Sequence, residues 1–224
     1  MTRTLKHIRS RSARSRIVAL AAAVTTVGAT LGMASVAQAA PRTESAGIAS
    51  EARLALDALD RWRVTENPVD FAVFVHSRDT TAVMVAYDLE VDIVTMRSEW
   101  AHVDIAKQQA LLAALSQLGV PYRHLASKAG VGFDCSGLTS YAYDQAGINI
   151  ERSSGNQINE AATVALDEAE PGDLVYYPGH VSLYLGVETM VHSPNSGNQV
   201  EAAHLPDREL RFGDVLDGDA PANA

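Results

Sequence analysis

The sequence predicts an α+β fold, on three observations. The first half carries apolar residues at helical spacing between capping residues. From Pro171 onward, short alternating runs divided by Pro-Gly and Gly turns read as antiparallel strands. Where the two textures meet, the chain's one cysteine, Cys135, opens a helix. Helices followed by a run of strands are the pattern of an α+β domain.

Residues 1–39 differ in kind from the rest. Arg3, Lys6, Arg9, Arg11, Arg14 and Arg16 occur with no acid, an apolar run follows from Ile17 to about Met33, and Ala37-Gln38-Ala39 is a small-x-small cleavage site. This is a secretory signal pattern without adjacent arginines. The alternative is an uncleaved anchor, but a run rich in Ala, Thr and Gly makes a weak spanning helix. Cleavage before Ala40, with no membrane anchor left, is the expectation. It leaves twelve basic against 27 acidic residues, a net charge of −15 with His neutral. Such a chain is a poor partner for nucleic acid, and its charge opposes electrostatic adhesion to anionic lipids or wall polymers. An exported chain with one cysteine has also made no use of disulfides, so its thiol is either reactive or incidental.

Pro41 to Ser50 reads as a flexible lead. Glu51 to Arg63 is an amphipathic helix with Ala52, Leu56, Leu59 and Trp62 on one face. Asn67-Pro68 is a cap with proline at the first helical position. Val69 to His76 fits helix or strand by pattern, and its Asn-Pro start favours helix. Thr80 to Leu89 and Asp92 to Trp100 read as further short helices. Residues 40–103 therefore form a helical region, and nothing in it carries chemistry; His76 and His102 read as surface residues. If the rest of the chain carries an activity, this region docked over its site would restrain it, and a chain starting near Ala101 would be the more active.

Asp104 caps a helix from Ile105 to Leu118, with Leu111, Leu112, Leu115 and Leu118 as its buried stripe and Gly119 as its stop. Asp134 caps the next helix, which runs to Gln145 before Gly147. Cys135 then lies in the first helical turn, where the dipole and free N–H groups favour a thiolate. Asn149 to Ser154 is a loop, and Asn156 to about Thr163 a short helix. Asp173 to Tyr177 and His180 to Leu185 are strands, the second with Val181, Leu183 and Leu185 on one face. Thr189 to Ser193 returns, Gln199 to Ala202 and Leu210 to Phe212 read as edge strands, and residues 217–224 as a disordered tail.

A cysteine nucleophile needs a base, and the base needs an orienting partner. If the strands turn at Gly186-Val187, His180 and His192 are cross-strand neighbours with β-carbons roughly 5 Å apart. One imidazole then serves as base and the other fixes its tautomer. Metal binding fails on spacing: there is no CxxC or HxxxH, and no carboxylate is seen near the histidines. No phosphate-cradling Gly loop or GxSxG elbow is present, and no cofactor is called for.

Phe133-Asp134-Cys135-Ser136-Gly137-Leu138, Pro171-Gly172-Asp173-Leu174, Gly179 to Gly186 and Val191-His192-Ser193-Pro194 resemble, in order and spacing, the signatures of the NlpC-type cell-wall cysteine peptidases. The resemblance spans about residues 104–202 and places the catalytic domain at 104–216. It implies a papain-like α+β domain that cuts amide bonds in peptidoglycan stem peptides, usually between D-glutamate and the third-position diamino acid. It implies Cys135 as nucleophile, His180 as base, His192 as orienting residue and Tyr122 as the active-site tyrosine beside the thiol. Asp134, Ser136, Arg152 and Ser153 fall where substrate contacts are expected. The chain departs from the family pattern at Arg123-His124-Leu125-Ala126, which replaces an aromatic residue and two glycines, and at Glu151, which replaces a proline. Both border the substrate groove. The expectation is a secreted, monomeric cysteine endopeptidase. The alternatives are a non-catalytic wall-associated protein, or a cysteine amidase or acyltransferase acting on another substrate.

Overall fold

Local capping chemistry sets where most of the helices start. In the computed structural model, which describes residues 43–217, the side chain of Asn67 accepts the Val69 N–H, Asp92 that of Thr95, Asp104 that of Ala106 and Asp134 that of Gly137. Each satisfies an amide that the helix itself leaves without a partner. The helices are α1 (Thr43–Thr65), α2 (Pro68–Asp88), α3 (Ile93–His102), α4 (Ile105–Leu115), α5 (Cys135–Gln145) and α6 (Ser154–Glu160). The signal segment and the tail beyond residue 217 lie outside the described residues.

Four boundaries differ from expectation. The stretch through Ser50 is helical from Thr43, not a flexible lead, because Ile48 and Ala49 bury. The segments at Val69 and Thr80 are one helix: the polar run between them contains no Gly or Pro, and its Ser77 and Arg78 are buried, with Arg78 Nη1 donating to Gln108 Oε1 at 2.8 Å. α4 ends at Leu115, ahead of a turn that reaches Gly119. α6 closes at Glu160, and the residues read as its end form a strand instead.

That strand, β3 (Ala162–Val164), joins β4 (Leu174–Tyr177), β5 (His180–Gly186), β6 (Thr189–His192), β7 (Glu201–His204) and β8 (Arg211–Asp214) in one antiparallel sheet. The order is β3-β8-β4-β5-β6-β7. β8, read from sequence as an edge, is thus interior, because β3 covers it. A two-stranded hairpin, Ser127–Lys128 with Gly132–Phe133, precedes α5.

One core joins the helices to the sheet. Ile48, Leu59, Phe74 and Trp100 from α1–α3 are continuous with Leu111, Leu112 and Leu115 of α4, Leu138 of α5 and Val181, Leu183 and Leu185 of β5. Trp100 Nε1 donates to the Leu185 carbonyl at 2.7 Å, and Arg53 to that of Ser116 at 2.7 Å. The opposite face of the sheet carries a small cluster of Val175, Tyr184 and Phe212.

α4 is pinned by charge as well. Lys107 Nζ lies 2.8 Å from Asp173 Oδ1, 2.8 Å from Asp214 Oδ2 and 3.1 Å from Glu170 Oε2, with its side chain only 3% exposed. Burial works against the ammonium, but the contacts to Asp173 and Asp214 outweigh it and hold the lysine above its ordinary pKa. Lys107→Met leaves these carboxylates facing each other without their cation. Removing one partner of a buried ion pair costs about 3–5 kcal/mol. The expected result is a lower urea midpoint at an unchanged slope; an unchanged midpoint would show that the cluster is structurally idle.

Candidate active site

Cys135 owes its place to Asp134 and Gly137. Asp134 Oδ1 accepts the Gly137 N–H at 2.7 Å, and the Asp134 carbonyl accepts the Leu138 N–H at 3.0 Å. Gly137 is required by close approach: a β-carbon there would overlap the carbonyl oxygen of Ala126. The amides of Cys135 and Ser136 belong to the first turn and have no intrahelical acceptor. Cys135 itself is partly exposed.

Tyr122 is brought beside it by backbone pairing. Its N–H donates to the Asn198 carbonyl at 2.8 Å, while Pro121 accepts from Phe133 and Phe133 from Arg123, so this segment runs between the 198–200 stretch and the lead into Cys135. Burial pushes the Tyr122 phenol up, and the charges of Cys135 and Asp134 add to it.

The two histidines meet, but not by the expected register. β5 and β6 pair Leu183 with Val191, Tyr184 with Met190 and Gly186 with Thr189. The turn is Val187-Glu188, at φ 47° and 55°, and not Gly186-Val187. Continuing this ladder sets His192 across from Ser182, one diagonal step from His180. Diagonal neighbours lie within reach of a long ring, and His180 Nε2 is 3.0 Å from His192 Nδ1, with the rings nearly perpendicular. The residue after His192 ties this strand to the cysteine segment: Ser193 Oγ donates to the Phe133 carbonyl at 2.8 Å.

This contact couples the tautomers, since one of the two facing nitrogens must donate and the other accept. For His180 to offer Nδ1 as a base, its proton must sit on Nε2 and be donated to His192 Nδ1. His192 then carries its own proton on Nε2, which lies 3.4 Å from Glu201 Oε1, a long approach rather than a formed hydrogen bond. A carboxylate does therefore stand beside the histidine pair, against the sequence reading. It comes from the next strand, where Glu201 pairs with His192. Among the described residues, no group of three or more His, Cys, Asp or Glu is placed to hold a metal ion. Burial lowers both imidazoles to about 4; the charges of His192 and Arg208 add to the effect at His180.

Tyr177 backs the base candidate His180. It pairs with His180 across the Pro178-Gly179 turn and stacks on its ring, with centroids 4.9 Å apart and an interplanar angle of 23°. Burial raises the Tyr177 phenol, Arg208 opposes the rise and the charge of Cys135 adds to it. Arg208 Cζ sits 4.5 Å over the Tyr177 ring. Sequence reasoning missed Tyr177, Arg208 and Glu201. The Pro-Gly turn was a usable signal for Tyr177, since it sets that residue opposite His180. The other two arrive through non-local pairing and leave no local trace.

The residues expected at the substrate side hold one another. Arg152 donates through Nη1 to Ser136 Oγ at 2.8 Å and through Nη2 to Asp134 Oδ2 at 2.9 Å. Ser153 stands apart: it caps α6, its Oγ accepting the Asn156 N–H at 3.3 Å. Of the departures from the family pattern, Arg123 packs over Gly132 and Leu125 is exposed at φ 60°.

Comparison with known proteins places this site in context. The family model described as "NlpC/P60 family" matches residues 119–214. A "Probable endopeptidase" of Corynebacterium glutamicum (strain R) is 34% identical over 212 residues, covering 89% of this chain and 94% of that protein. "Peptidoglycan endopeptidase RipB" of Mycobacterium tuberculosis is 40% identical over 111 residues, 42% of this chain and 46% of RipB, so the chain spans less than half of RipB's own length. Among solved structures, RipD of Mycobacterium tuberculosis, described as a non-catalytic NlpC/p60 domain protein, matches 51% of this chain and 100% of that chain at 30% identity and a TM-score of 0.44.

Proposed function

Because the chain belongs to the NlpC/P60 family, we propose that it is a cysteine endopeptidase that hydrolyses amide bonds in the stem peptides of peptidoglycan. The observation that supports this best is the buried 3.0 Å contact between His180 and His192, in a chain whose single described cysteine opens helix α5.

In this reading His180 Nδ1 takes the thiol proton as Cys135 Sγ attacks the amide carbonyl carbon. The carbonyl π electrons move to oxygen, and the oxyanion is received by the amides of Cys135 and Ser136 at the positive end of α5. The Tyr122 phenol, beside the thiol, is a further donor. The imidazolium of His180 is held by His192, whose Nδ1 accepts its Nε2–H. On collapse the C–N bond breaks and His180 passes its proton to the leaving amine. Water, deprotonated by His180, then releases the acid and restores Cys135. Arg152, Asp134 and Ser136 form the substrate-facing wall on the α5 side, with Ser153 at its margin. The bond cut is that between D-glutamate and the diamino acid. Export belongs to the same reading and rests on residues 1–39, which lie outside the described residues; among the described ones, no helix is long and apolar enough to cross a membrane.

Digestion of purified peptidoglycan with mass identification of the fragments tests this. New amino termini on the diamino acid are expected. Cleavage elsewhere in the stem would keep the chemistry and move the bond. Binding without release of any fragment would make the chain a wall-associated protein without this activity.

A further inference from the structure

Arg208 lies on the exposed loop between β7 and β8, and its guanidinium packs on Tyr177, which in turn stacks on His180. A long side chain on such a loop ordinarily samples many rotamers in solvent. Packing on an aromatic ring removes much of that freedom and holds the cation beside the reacting groups. An arginine that packs by its flat face keeps its in-plane N–H donors at the edge, in the fork that matches a planar carboxylate. The setting sharpens the point: the chain carries a formal net charge of −9, so an anionic substrate meets general repulsion, and a fixed cation at the site's rim offsets it locally.

We propose that Arg208 is a specificity-determining residue that receives a carboxylate on the leaving-amine side of the substrate, with Tyr177 as its platform. The side follows from proton transfer, and so rests on the function proposed above. His180 must reach the departing nitrogen, so a group held beside His180 borders the half that departs. In a stem peptide that ends at its diamino acid and is cut before it, that half carries the diamino acid's free α-carboxylate. Arg152 is bound to Asp134 and Ser136 at the start of α5 and serves the other half.

The test uses two synthetic stem peptides that end at the diamino residue, one with its carboxylates free and one with them amidated. The readout is the ratio of their kcat/KM values for the full chain, for Arg208→Met, which keeps the apolar stem, and for Arg208→Lys. The wild type should favour the free acid by about 10- to 100-fold, the range for one charge-assisted pairing, mostly through KM. Arg208→Met should bring the ratio close to one, and Arg208→Lys should restore part of it. If Arg208 only supported Tyr177 and His180, the variants would slow both peptides alike and leave the ratio intact, which overturns the proposal. A wild-type ratio near one overturns it as well, with the peptidase reading still standing. Failure of the wild type to cut either peptide removes that reading, and this one with it.

Discussion

Cys135→Ala is expected to release no stem fragments, and His180→Ala to come close to it, while His192→Asn keeps measurable activity. The order follows from which atom each side chain contributes. Alanine at 135 removes the sulfur that must bond to the carbonyl carbon, and leaves the Asp134 cap and the Gly137 contact in place. His180→Ala removes the base, a loss of about 10²–10⁴-fold. In the proposed mechanism His192 acts only through its contact with His180 Nε2. Asparagine sets its Oδ1 close to where Nδ1 stood, so the acceptor survives, and a loss of roughly tenfold is expected. His192→Ala should fall between. Rates on one synthetic stem peptide decide it: if His192→Asn is as inactive as His180→Ala, the roles are reversed. The same pair sets a pH dependence. Burial lowers both imidazoles from about 6.5 to about 4, so between these values the unfolded chain binds more protons than the folded one. Stability contributed by the neutral pair is complete above pH 6.5 and is lost as pH falls toward 4. Thermal midpoints of Cys135→Ala should show this fall, and the double variant with His180→Gln should show a shallower one.

A chain shortened to begin at Ala101 is expected to lose cooperative unfolding and not to gain activity. The helical region carries part of the shared core: Ile48, Leu59, Phe74 and Trp100 go with it. Every residue of α4 from Lys107 to Leu115 is buried, so removing α1 and α2 opens one side of that helix to water. Each large apolar side chain uncovered costs about 1.5–3 kcal/mol, against a total stability of about 5–15 kcal/mol. The expectation of a restraining helical unit does not fit the contacts. Trp100 bonds to the Leu185 carbonyl at the far end of β5, about 17 Å along the strand from His180. α3 therefore buttresses β5 at the end away from His180, while α1 and α2 pack on α4. Circular dichroism melting and peptide turnover of the shortened chain test both points; a cooperative melt with faster cleavage would restore the restraint.

Chemistry written within a few residues was legible from the letters alone. Asn67, Asp92, Asp104 and Asp134 start helices because a cap bonds amides two or three positions ahead. Cys135 is recognisable as a helix-start thiol for the same reason, and Pro178-Gly179 as a turn that begins the His180 strand. Features that depend on partners far along the chain emerged only on folding. The polar stretch at Ser77 and Arg78 stayed helical because α4 supplied Gln108 as a partner. β8 became an interior strand because β3 took the edge. The strand register was set by the Val187-Glu188 turn, whose positive φ angles neither residue type advertises, together with the irregularity between Tyr184 and Gly186, and it put His192 in a diagonal position that the length of an imidazole then made good. Glu201 and Arg208 reach the site across a ladder and from a loop, where a sheet adds contacts between residues that no local spacing relates. Caps and turns act over a few bonds and so leave their mark in adjacent letters, whereas sheet pairing and core burial act through space, and only the folded chain states which residues they join.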